Sequence, residues 1–362
     1  RSVMRHDLAG VPRPTLSGRG ARARCLLAAF TGLVVLTSVG CGAVARAGRP
    51  VGNTVTIAYA PGIDTAPLYL AQKNKLFAQE GLRNVILKTY PNGPAALSAV
   101  QHGQADIAAS DYGDIFYAEA AKKVPGGLRV LADGFDASQG MLEVLTRPGS
   151  SIRSPADLLN NNVVVGAPSD QVLPIRNGAD QPISLDIAAA AQVLLNFVGN
   201  DATSAKWDPM PQNQEVQELR TGQLQAILVS QPYIFQAQSQ FGAVVVFDAA
   251  TGPTAGLPLT GYVAGASWVE QNPTAVADFQ AAIIEAQNQA SMSGQVQQVL
   301  PKITTINSAD ADLATIGTYP ASTSAAALNQ VTQLLWQSKW AASAFQGLQP
   351  PDVRKMIVGP VG

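Results

Sequence analysis

From Thr54 onward, two kinds of hydrophobic pattern alternate along the chain. Short apolar runs bounded by turn residues read as strands at Thr54–Ala60, Val85–Tyr90, Ala105–Ser110, Arg129–Gly134, Met141–Thr146 and Val163–Gly166. Between them, Ala66–Glu80, Pro94–His102 and Gly113–Lys123 space their apolar residues at helical intervals, and Pro155 opens a short further helix. Leu185–Val198 is a further long segment of this kind. Ile187, Ala190, Val193, Leu194 and Phe197 share its apolar face, and Gly199-Asn200 ends it as a C-terminal cap. Strands alternating with helices predict parallel sheets covered by helices.

Two distant segments carry the same design. LSAVQHGQADIAAS over residues 97–110 and VQELRTGQLQAILVS over 216–230 each read as helix, Gly-Gln turn, apolar strand and terminal serine. Glycine at the turn supplies the left-handed conformation that ends the helix and launches the strand. Two lobes built on one plan produce such a repeat, and 362 residues suffice for two domains.

The first 40 residues follow a different pattern. Six arginines between Arg1 and Arg24 precede an uncharged stretch, Cys25–Val39, and small residues lead to Cys41. This order is that of a secretory signal, and about 15 apolar residues fall short of the roughly 20 that span a bilayer. Ser38-Val39-Gly40-Cys41 resembles a bacterial lipobox without its usual leucine, which implies lipidation of Cys41; plain secretory cleavage near Gly42 or Ala43 is the alternative. Residues 42–53 are small, Gly- and Pro-containing and aperiodic, as suits a tether.

Composition is that of a globular protein, 47% hydrophobic and 14% charged. Removing residues 1–40 takes six Arg and one Asp from 24 basic and 25 acidic residues, leaving 18 against 24 and a net charge of −6. That balance argues against nucleic acid as a partner, because phosphate binding needs clustered Lys and Arg. With Cys25 in the signal, Cys41 is the last cysteine, so no intramolecular disulfide is expected.

Four stretches, in this order, carry a family resemblance: APLYLAQKNKLFAQEGL at 66–82, GQADI at 103–107, IRSPADL at 152–158, and Gly222 to Tyr233 followed by Trp268 to Pro273. Over residues 54 to about 345 the chain resembles the ABC-importer binding proteins for aliphatic sulfonates, taurine, nitrate and thiamine precursors. The resemblance implies an α/β, two-lobed fold of the periplasmic-binding-protein type (type II). Each lobe is then a mostly parallel sheet flanked by helices, with a ligand cleft between the lobes. Lobe one would comprise 54–136 and 258–362, and lobe two 137–257, with crossings near Phe135–Gly140 and Thr254–Tyr262. It further implies a small-molecule ligand, ABC permease and ATPase partners, and a monomer anchored outside the cytoplasm through Cys41.

In open parallel sheets, ligands sit beyond the carboxyl ends of the strands, where helix N-termini offer free N–H groups. That rule selects 61–65, 110–112, 135–139, 167–170 and 230–233. The family uses the same loops, so the resemblance implies ligand contacts from Pro61, Asp64, Ser110, Asp111, Tyr112, Asp136, Pro168, Ser169, Gln231 and Tyr233. Ser110 and Ser169 offer hydroxyls, or else cap helices; Tyr112 and Tyr233 offer an apolar face and a hydroxyl. Asp64, Asp111, Asp136 and Asp170 lie at the cleft end and no Lys or Arg falls in these loops, which disfavours an anion and favours an amine or a hydrogen-bonding heterocycle, unless these aspartates cap helices and face water instead. The segment Val172–Ile183 looks like an insertion, and its Arg176 would restore anion binding if it folds over the cleft.

Catalysis has little support in the residues. After the signal, His102 is the only histidine; Asp136-Ala-Ser-Gln-Gly140 lacks the first glycine of a nucleophile elbow; and Cys-x-x-Cys, His pairs and phosphate-cradling glycine motifs are absent. Neither a catalytic residue nor a metal or other cofactor is expected. An enzyme on the same fold, similar to the thiamine-pyrimidine synthases or to chorismate dehydratase, is the alternative.

Overall fold

The computed structural model describes residues 54–160, 162–168, 172–173, 181–182, 185–199, 204–292, 294–337 and 345–359. The expected signal, Cys41 and its tether, Ser169, Asp170 and Arg176 lie outside these residues. The folded body begins with β1 (Val55–Tyr59), α1 (Ala66–Lys73), α2 (Leu76–Glu80), β2 (Val85–Thr89), α3 (Gly93–Gln101), β3 (Ile107–Asp111), α4 (Tyr112–Ala120) and β4 (Leu128–Asp136). After β4 come β5 (Leu142–Thr146), β6 (Val165–Pro168), a small antiparallel ribbon of β7 (Val172–Leu173) and β8 (Gln181–Pro182), and α5 (Leu185–Val198). Then follow β9 (Trp207–Met210), α6 (Gln212–Thr221), β10 (Ala226–Ser230), α7 (Tyr233–Phe241), β11 (Val244–Asp248) and β12 (Pro258–Gly265). Helices complete the chain: α8 (Ala266–Gln271), α9 (Pro273–Ala290), α10 (Leu300–Ile303), α11 (Ser308–Leu313), α12 (Ala325–Gln337) and α13 (Val353–Met356).

The strands form two five-stranded sheets, β2-β1-β3-β12-β4 and β11-β5-β10-β6-β9. The sheets share one plan. In each, the central strand has a parallel neighbour on one side and an antiparallel neighbour on the other: β3 between β1 and β12, β10 between β6 and β5. Only β12 in the first sheet and β5 in the second run against the rest. The two Gly-Gln turns that look alike in sequence launch these two central strands, with Gly103 at φ 66° and Gly222 at φ 85°. The backbone N–H of Gln104 closes on the Ala99 carbonyl, and that of Gln223 on Glu218, so each turn satisfies a free carbonyl of its helix end.

Period-two alternation assigns each strand face to a different core. Ile57, Ile107 and Tyr262 point to a layer containing Leu68, Phe77 and Phe279 from α1, α2 and α9. Ala58, Ala108 and Val263 point the other way, into a core that also takes in Val144, Ala226 and Leu228 of the second sheet together with α5. The reverse face of the second sheet, through Leu145, Ile227 and Val229, packs on α6 and α7. The chain leaves the first sheet after Asp136 and returns to it at Pro258. These two passages pair with each other, Ala137 N–H on Leu257 O and Gly256 N–H on Ala137 O, both at 2.8 Å. Past β12, α12 touches α4 and α5 alike, so the C-terminal segment packs against helices of both sheets.

Two sequence expectations need correction. The helix expected over Ala66–Glu80 is two helices, because Lys75 adopts φ 59°, a left-handed turn that brings Phe77 onto Phe279 with ring centroids 6.3 Å apart. Phe197, placed by its spacing on the buried face of α5, is 61% exposed and meets Phe247 from the side; it lies in the last turn, where the helix runs past the core. Ile187, Ala190, Val193 and Leu194 are buried as their spacing predicts. Among the described residues, no helix is long and apolar enough to cross a membrane.

Candidate ligand cleft

The carboxyl ends of the two central strands face a common cavity of about 420 Å³. From the first sheet come the loop after β1, the loop after β2 and the end of β3; from the second come Pro168 at the end of β6, Asp186 on α5, and the loops after β9 and β10. Phe135 and Met141 at the first passage, and Leu259 and Thr260 at the start of β12, close its base. Thr304 completes the rim.

Each wall is built locally. Thr65 accepts the Gly62 N–H and donates its hydroxyl to the Ala60 carbonyl, folding the β1 loop into the first turn of α1. The buried Tyr319 hydroxyl donates to Ile63 O at 2.6 Å and holds the same loop from behind. Asn92 caps α3 through the Ala95 N–H, and Asp111 caps α4 through Gly113 N–H. Ser110 donates to the carboxylate of buried Asp114 at 3.1 Å, so its hydroxyl is engaged inside the protein and does not cap a helix. On the opposite wall, Gln212 accepts both the backbone N–H and the hydroxyl of Ser230.

Gln231 stands at the junction of cleft and passage. It is 5% exposed, and its Nε2 donates to the Gly140 carbonyl at 3.1 Å. Its Oε1 is enclosed and, among the described residues, has no hydrogen-bond partner. A buried acceptor left unmet costs about 1–3 kcal/mol. Gly140, at φ 78°, is held from the other side by Asp248, which accepts its N–H at 2.8 Å.

The cleft is rich in acceptors. Asp64, Asp111, Asp114 and Asp186 line it, and among the described lining residues there is no Lys, Arg, His or Cys. Burial pushes the Asp64 carboxyl above its usual range, against the opposing hydrogen bond donated by the Thr260 hydroxyl at 3.1 Å. Among the described residues, no group of three or more His, Cys, Asp or Glu is placed to hold a metal ion.

Of the positions proposed from sequence, Pro61, Asp64, Ser110, Asp111, Pro168, Gln231 and Tyr233 come together around this cavity. Two do not. Tyr112 is wholly buried, its ring against Phe116 and close to the Cα of Gly261, where an added Cβ would stand 2.6 Å from its hydroxyl. A residue that opens a helix immediately after a strand points back into the sheet interface. The Tyr112 hydroxyl stands beside Asp133 without closing a hydrogen bond. Asp136 lines a second cavity of about 450 Å³ beside the two passages, with Ser138, Thr251 and Thr318, and burial raises its carboxyl to about 6. Sequence reasoning missed the Pro91–Gly93 and Pro211–Asn213 corners, although both follow strands and open helices, the signal already used elsewhere. Thr260 sits at the N-terminal end of the antiparallel strand β12, where that signal does not exist.

Residues 48–303 match the NMT1-like family. The chain belongs to that family. No curated protein matches the sequence. Among solved structures, the chain is similar to the periplasmic aliphatic sulphonate binding protein of Escherichia coli (18% identity, TM-score 0.64, 84% of this chain and 97% of that one). It is similar to the alkanesulfonate-binding protein of Xanthomonas axonopodis pv. citri bound to MOPS (14%, 0.64, 86% and 99%). A third is the ligand-binding component of an ABC-type import system from Staphylococcus aureus with zinc bound (14%, 0.64, 85% and 97%). At these identities the likeness establishes the periplasmic-binding-protein fold, and the different occupants of those proteins leave the ligand of this family member to its own cleft.

Proposed function

We propose that this chain is the extracytoplasmic solute-binding component of an ABC importer, anchored through Cys41, which captures a small polar organic molecule between two lobes and presents it to permease and ATPase subunits. Membership of the NMT1-like family and the fold shared with importer binding proteins support the role. The observation that carries it is the cavity itself, walled by matching corners of two sheets of one plan and joined by two short chain passages. Lobes at 54–136 with 258–362 and at 137–257 fit that topology, and hinge closure around a ligand is the expected motion.

The ligand class follows from the lining. Acceptors headed by Asp64 and Gln231 suit a ligand that donates hydrogen bonds, an amine or an aminated heterocycle, whereas a sulfonate or nitrate meets carboxylates in a partly desolvated site. A thermal-shift series against small amines, an aminopyrimidine, taurine, alkanesulfonates and nitrate tests this. A ligand at about 100 times its Kd adds roughly 2.7 kcal/mol of stability, so the amine or pyrimidine is expected to raise Tm. Stabilisation by sulfonate or nitrate alone rejects the ligand class, and no stabilisation by any of them rejects the binding role. Retention in the membrane fraction that disappears in Cys41→Ser tests the anchor.

A further inference from the structure

We infer that Thr260 is a positioning residue of the cleft, its hydroxyl holding the Asp64 carboxylate as the counter-ion for a protonated amine of the ligand. The inference rests on reading the cavity as a solute site, and it narrows the ligand class to a cation as against a neutral heterocycle.

Three observations carry it. Asp64 can be reached from the cleft: it lines the cavity and is partly exposed, its Oδ2 takes the Thr260 hydroxyl at 3.1 Å, and its Oδ1 is not sealed inside the protein. Two other aspartates of the lining are engaged within the protein, Asp111 in the cap of α4 and buried Asp114 with the Ser110 hydroxyl. Secondly, among the described residues no basic group answers Asp64. Tyr262 of β12 and Tyr319, beyond α11, feel its charge, Tyr262 also feels Asp133 of β4, and Asp111, Asp114 and Asp186 share the lining. A carboxylate kept from water without a cation is uncompensated, and burial pushes its pKa up against the Thr260 hydrogen bond. A ligand cation supplies the missing charge, and its attraction grows as water leaves the site. Thirdly, the carboxylate is set before a ligand arrives. Thr260 is 7% exposed, and its backbone is paired with Asp111 of β3 on one side and Phe135 of β4 on the other. It is the third residue of β12, which opens at Pro258 where the chain returns to the first sheet. From the opposite direction, Tyr319 fixes Ile63, the residue before Asp64. Little ordering is then left for binding to impose.

The test uses the full chain and three probes with one tail and different heads, butylammonium, 1-butanol and 1-butanesulfonate, followed by calorimetry from pH 5 to pH 8. Butylammonium stays charged throughout, since an alkylammonium ionises near the lysine value of about 10.4. The wild type is expected to bind it about tenfold tighter or more than the other two at pH 8. Its affinity should fall with pH as Asp64 takes up a proton. Thr260→Val keeps the shape and loses the hydroxyl, so the midpoint of that fall should move upward by about one unit, and Thr260→Ser should restore it. Asp64→Asn should erase the preference for the ammonium head while its urea midpoint at pH 8 stays at or above that of the wild type. A wild type that prefers butanol or butanesulfonate, or a Thr260→Val profile that coincides with the wild type, overturns the inference and leaves the binding role intact. Binding of none of the three also overturns it, and the binding role then stands or falls on the wider thermal-shift series. If Thr260→Val does not fold, Asp64→Asn decides: an ammonium preference that survives there sinks the inference.

Discussion

At the scale of single residues, one carboxyl on a strand next to the first passage is held protonated well above its usual range. Glu143 and Asp248 face each other across β5 and β11, and burial, followed by the charge of Asp248, raises the Glu143 carboxyl to about 7. A folded-state value above the unfolded one means that the native protein holds a proton the unfolded chain has released. Stability therefore falls as pH rises from about 4.5 to about 7 and levels off beyond. Glu143→Gln cannot ionise. Its urea midpoint should match the wild type at pH 4 and exceed it at pH 8, and a difference that does not change with pH would reject this account. Since Asp248 also grips Gly140 and the Ala250 N–H, the same titration acts on a residue that holds the passage.

At the scale of elements, α9 shows why a polar side chain need not mark a surface. Its glutamines at 280 and 287 share a face, are 7% and 1% exposed, and reach backbone carbonyls of β4: Gln280 to Leu131 at 2.7 Å and Gln287 to Asp133 at 2.6 Å. β4 is the edge strand of its sheet, and these amides answer carbonyls that water would otherwise have to reach. Replacing Gln287 by Leu strands buried carbonyls and should cost about 1–3 kcal/mol in urea denaturation. Asn288→Ala, at an exposed position of the same helix, should cost well under half as much. Equal losses would reject the role given to the buried amide. A hydropathy pattern alone assigns both glutamines to solvent, and it equally missed the break at Lys75, because αL geometry in a lysine is a response to packing against α9 and leaves no mark in the sequence.

At the scale of the molecule, two sheets of one plan share a central core that contains residues of both, so the closure proposed around a ligand would be a rotation about the two passages and not a separation of the sheets. Small-angle scattering at a saturating concentration of a stabilising ligand should show a smaller radius of gyration than the free protein, with the change confined to a rigid rotation. An unchanged radius would reject closure while leaving binding untouched.

What the sequence determined by itself were the properties that depend on local order. The alternation of strands and helices, the face of each strand, the helix over Leu185–Val198 and the repeated Gly-Gln turns are periodicities of two or 3.6 residues and glycine positions, readable without knowing what lies nearby. The family resemblance and the strand-end rule led from there to most of the corners that meet at the cavity. Tertiary structure alone decided which candidates face the cleft. It turned Tyr112 inward against Gly261, moved Asp136 to a second cavity, brought Thr260 onto Asp64 from a strand nearly 200 positions away, and left one oxygen of Gln231 without a partner among the described residues. The physical reason is that burial, desolvation and hydrogen-bond completion are sums over neighbours in space, and the neighbours that decide them come from both sheets and from the C-terminal helices at once.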